Sequence, residues 1–83
     1  MQLNASKQLT LSEIHAGERV ILIEIRSNKK DLSRLTSMGL TPGVEIQMTQ
    51  NYGHGPLVVT TRGMRLALGR LEAENIFVQW SQE

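Results

Sequence analysis

The side chains able to do chemistry in this chain are few: two histidines, His15 and His54, and a cluster of oxygen donors at Glu72, Glu74 and Asn75. A structural or catalytic metal needs three or four convergent His, Cys, Asp or Glu ligands. The two histidines stand 39 positions apart, and no nearby pattern of Asp, Glu or Cys at ligand spacing joins them. Cysteine is absent, which removes thiolate sites, disulfides and a thiol nucleophile together. Glu72, Glu74 and Asn75 are too few for a Ca²⁺ loop, which needs five or more oxygens at set intervals, and are read as acids solvating a turn. Ser and Thr occur throughout, but neither histidine sits in a nucleophile or acid–base context. Gly53-His54-Gly55 is a turn rather than a phosphate cradle, and no Gly-x-x-x-x-Gly-Lys-Ser/Thr segment is present. The chemistry therefore points away from an enzyme, and no cofactor or metal is expected.

What remains is contact chemistry. Lys29, Lys30 and Arg34 cluster on or near one segment, and Arg62 and Arg65 bracket another. Most are read as ordinary solvated charge. A sharper reading makes Arg34, Arg65, the adaptable thioether of Met64 and a spare apolar face near Leu22 a docking surface for an acidic patch on a partner protein. With nine basic and eight acidic residues, a net charge of +1, and one each of Trp, Tyr and Phe, the chain offers neither the field nor the stacking platforms of a nucleic-acid binder.

Those residues must be held by short elements. The chain has 83 residues, 40% of them apolar, so one small domain over 1–83 is expected, burying roughly 60% of its unfolded surface. Residues 1–8 read as a loose end and 9–14 as a short segment with a single turn capped by Ser12. Strand patterns follow at Arg19 to Ile25, Val44 to Gln50, Leu57 to Thr61, Met64 to Leu68 and Ile76 to Trp80. The first is apolar on both faces for part of its length, which leaves one face for a partner. Leu32, Leu35 and Met38 recur at helical spacing, Ser27-Asn28 can cap a helix from about Lys29, and Gly39 can end it in the left-handed region with Leu40 packing back on Leu35. Thr41-Pro42-Gly43 is a turn, and Arg62-Gly63 a hairpin tip. Five short strands and one helix fit a mainly β fold, a small, strongly bent antiparallel barrel.

This order of motifs resembles the FeoA family of ferrous iron uptake over roughly Leu9 to Val78. The resemblance rests on Leu11 with Gly17, Arg34-Leu35 with Met38-Gly39-Leu40, Thr41-Pro42-Gly43 and its strand, Gly55-Pro56, Gly63, and Ala67-Leu68 before Ala73-Glu74-Asn75-Ile76. It implies an SH3-like barrel with an inserted helix and a non-enzymatic accessory role beside FeoB, the membrane protein with a GTPase domain that carries ferrous iron. The same fold closes certain iron-dependent repressors, so a free-standing module of that type is the alternative. Family members often have an acidic residue before the mid-chain proline and an arginine after the Ala-Leu pair. This chain has Gly55 and Gly69 there. No apolar run approaches the ~20 residues that cross a bilayer, and Met1 to Gln8 is mainly polar, so a cytoplasmic protein without membrane insertion is expected. Self-association into a homo-oligomer is left open.

Overall fold

The computed structural model describes residues 8–81; the loose segment expected over 1–8 lies, but for Gln8, outside them. Six strands form one antiparallel sheet: β1 Leu9–Thr10, β2 Arg19–Ile25, β3 Glu45–Gln50, β4 Leu57–Thr61, β5 Met64–Leu68 and β6 Ile76–Trp80, in the order β1-β6-β2-β3-β4-β5. Two helices are inserted, α1 Lys29–Ser37 between β2 and β3 and α2 Arg70–Ala73 between β5 and β6. The strand beyond the five expected, β1, is two residues long, too short to show an alternation.

The sheet bends around its own apolar face. Register shifts between Leu22 and Glu24 in β2 and between Met48 and Gln50 in β3 supply that bend. Val44, Ile46 and Met48 are buried while Glu45, Gln47 and Thr49 face solvent, the period expected of a half-buried strand. Leu11, Leu35, Leu57, Leu68 and Ile76 join them in one core. The sheet does not close, and β1 and β5 are its two edges.

Helix α1 begins and ends as its residues dictate. Asn28 is the N-cap, its Oδ1 accepting from the Asp31 N–H at 2.7 Å. At the other end Gly39 has φ +98°, which any side chain with a Cβ adopts only at a cost. The Gly39 N–H donates to the Thr36 carbonyl at 3.0 Å and the Leu40 N–H to Leu35 at 3.1 Å, a Schellman closure with Leu35 and Leu40 both buried. The turn after it closes through the Val44 N–H to the Thr41 carbonyl. Near the start of the described chain the cap differs from expectation. Ser12 lies inside the Leu11–Glu13 turn, and the Glu13 carboxylate instead reaches back to the Thr10 N–H at 2.9 Å.

Candidate functional site

The four residues picked out for docking fall in three different environments. Leu22 is 1% exposed and belongs to the core. Side chains alternate along β2, so the outward apolar residues are its neighbours Ile21 and Ile23, with Ile23 44% exposed beside the register shift. The spare face exists, displaced by one position, and Leu22 itself contributes no contact area; a one-residue difference exchanges core for solvent in any strand. That outer apolar surface continues onto β6 as a shallow groove of about 540 Å³ lined by Leu9, Ile23, Phe77 and Trp80 among others, with the Arg26 guanidinium 4.3 Å from the Phe77 ring centroid.

Arg34 is engaged internally. Its guanidinium pairs with the Glu72 carboxylate, and its Nη1 lies 3.7 Å from the Met38 sulfur. Glu72 also accepts from the Gly69 N–H at 2.9 Å, so one carboxylate closes the first turn of α2 and ties α2 to α1. The acid read as solvating a turn is therefore a structural clamp. A second clamp escaped the sequence reading altogether. The Asn51 side-chain amide donates to the carbonyls of Ser12 at 3.1 Å and Ile14 at 2.8 Å, while its Oδ1 accepts from the Gly53 N–H and from Arg70 Nη2 at 2.7 Å. Arg70 Nε then donates to the Gly55 carbonyl at 3.1 Å. Arg70, which follows Gly69 in the chain, thus links the start of α2 to the Gly55 loop. Only an Asn preceding a Gly-containing loop hints at this in sequence, as an Asx turn.

Met64 and Arg65 remain open. Met64 is 55% exposed, and Arg65 is exposed on the opposite face of β5. The hairpin tip holds both Arg62 and Gly63 at positive φ, +53° and +76°, the two-residue turn that matches sheet twist and ordinarily takes Asn-Gly. Neither Arg62 nor Arg65 has an ion-pair partner among the described residues. His15 is exposed 3.6 Å from Glu18, and His54 lies in the exposed loop. No group of three or more His, Asp or Glu side chains is placed to hold a metal ion among the described residues, and no helix among them is long and apolar enough to cross a membrane.

The FeoA domain model matches residues 9–79. The chain belongs to the FeoA family. It is 35% identical over 63 residues to "Putative Fe(2+) transport protein A" of Methanocaldococcus jannaschii, covering 76% of each protein. Among solved structures, an iron uptake regulatory protein FeoA superposes with a TM-score of 0.81 at 33% identity, over 88% of this chain and 97% of that one. Stenotrophomonas maltophilia FeoA, described as a prokaryotic SH3 domain protein and solved in complex with zinc, gives 0.75 at 28% identity, over 86% and 89%. The open six-stranded sheet with its inserted α1 is thus the SH3-like architecture of FeoA proteins. The fold alone is shared with a manganese-dependent transcriptional repressor, at 17% identity and a TM-score of 0.82, over 96% of this chain and 45% of the repressor.

Proposed function

We propose that this FeoA protein is a non-enzymatic, cytoplasmic accessory protein of ferrous iron uptake that binds the cytoplasmic part of the membrane transporter FeoB and tunes its activity or assembly, acting as one domain over 1–83. The observation that carries this is the division of its side chains between internal clamps and an open hairpin. Arg34, Glu72, Asn51 and Arg70 are occupied in clamping the fold. The hairpin keeps Arg62, Met64 and Arg65 turned to solvent. A domain with fixed joints and an open basic, thioether-bearing hairpin fits a binding module better than a catalyst. Family membership supplies the ferrous iron context.

Capture from membranes under ferrous, reducing conditions, followed by mass spectrometry of what is recovered, tests the reading. Recovery of the GTPase-bearing transporter supports it. Recovery of a repressor or of a peptide from one would replace it with the free-standing regulatory module that the shared repressor fold allows.

A further inference from the structure

The two edges of the open sheet are built differently. At β1 the edge is two residues long, and its Thr10 N–H is already taken by the Glu13 carboxylate. At β5 the edge runs five residues, Met64–Leu68, contains no proline, and pairs with β4 without a register shift. Among the described residues its only strand neighbour is β4. Proteins ordinarily blunt an exposed edge by shortness, bulges, proline, charge or covering structure; β5 carries charge at Arg65 but has no bulge, no proline and, among the described residues, no strand beyond it.

Register fixes which backbone groups lie open. Thr61 and Met64 face each other across the two-residue tip, which makes them a hydrogen-bonded pair, and such pairs recur at every second residue. Val59 with Leu66 and Leu57 with Leu68 continue that series. The N–H and C=O groups of Arg65 and Ala67 therefore point away from β4. The side chains divide likewise, with Met64 and half-buried Leu66 on one face and Arg65 on the other.

We propose that the β5 edge receives an extended segment of a partner protein as an added antiparallel or parallel strand, a segment alternating apolar and acidic residues. Backbone bonds to Arg65 and Ala67 would hold it, its apolar side chains lying over Met64 and Leu66 and its carboxylates beside Arg65 and, at the tip, Arg62. Charge selects this occupant over a second copy of the chain. A β5-to-β5 pairing brings two sets of Arg62 and Arg65 to one edge, whereas an acidic segment neutralises one set. This inference rests on the reading that the chain docks on a transporter, and adds where and through what chemistry.

The test uses an acetylated, amidated octapeptide of alternating Val and Glu as probe, with amide hydrogen exchange followed by NMR on the full chain. Exchange at the Arg65 and Ala67 amides should slow by about tenfold or more on saturation while other exposed amides keep their rates. Ala67→Pro removes an outward N–H without removing a bond to β4, and should abolish binding; proline is tolerated at such edge positions. Arg65→Glu, which leaves the backbone untouched, should weaken the Glu peptide and favour its Lys counterpart. Protection confined to β1, no response at β5, or peptide-free dimerisation through β5 in sedimentation would each overturn the proposal. Equal capture of the transporter by parent and folded Ala67→Pro would remove the edge and leave the transporter reading standing. Peptide protection at β5 with no transporter captured would sustain the edge and remove that reading.

Discussion

Arg34 at the α1–α2 junction and Arg65 on the β4–β5 hairpin look alike in sequence, each an arginine beside apolar residues on a short element. In the fold they do opposite work. Arg34 meets a carboxylate that is itself fixed by the Gly69 N–H, so its charge is consumed in joining two helices. Arg65 projects from an edge strand with no partner acid among the described residues. The contrast teaches that exposure is a poor guide to availability, because a half-exposed arginine can be fully engaged. It also divides the protein into a clamped side, where substitutions should be felt in stability, and an open side, where they should be felt in binding.

The largest effect should appear within β2, where neighbouring residues face opposite ways. Leu22→Ala is expected to cost about 2–5 kcal/mol, the range for truncating a buried leucine, while Ile23→Ala costs under about 1 kcal/mol. Urea denaturation of the pair checks this, and equal losses would place the wrong face inward. Next comes the helix stop. A Cβ at Gly39 would meet no atom within 4 Å, so backbone strain at φ +98° rather than a Cβ clash is the penalty expected of Gly39→Val; about 1–3 kcal/mol is expected. An unchanged denaturation midpoint would mean that α1 ends elsewhere.

How much of this was readable beforehand follows from which interactions are local. The helix stop at Gly39-Leu40, the Asn28 cap and the Arg62-Gly63 tip depend on residues within one turn of each other, and the sequence shows all three. The alternation of Val44, Ile46 and Met48 likewise needs only its own strand. By contrast, the Arg34–Glu72 and Asn51–Arg70 clamps join residues far apart in the chain, and no single-sequence pattern pairs them. Leu22 was misplaced because β2 is apolar at consecutive positions, Val20 through Ile23, so alternation gives no phase. The phase comes from its partners: Leu22 faces Val78, on the core side of β6. β1 was invisible for a simpler reason, since two residues carry no period.

Smaller effects sharpen the contrast between the clamped and open sides. Arg34→Glu sets two carboxylates against each other where an ion pair stood. Both side chains are partly exposed, 48% and 26%, so the loss should be only about 1 kcal/mol. Arg34→Glu,Glu72→Arg should recover part of it, and thermal melts of the single and double variants measure the coupling. At the tip, Arg62→Gly relieves a left-handed conformation that arginine adopts at φ +53° and should raise stability by about 0.5–1 kcal/mol. A fall instead would show that the Arg62 side chain holds the hairpin through contacts within the fold.

The most direct test of the division compares Arg65→Glu with Arg34→Glu in quantitative co-purification of the transporter's cytoplasmic domain, done well below both melting temperatures. Arg65→Glu should melt within a few degrees of the parent yet lose about tenfold or more in recovered partner, because reversing an interface charge opposes the complementary potential without disturbing a core. Arg34→Glu should melt lower and retain binding. The opposite result, full recovery with Arg65→Glu and loss with Arg34→Glu, would contradict the account and move the docking surface to the α1–α2 junction.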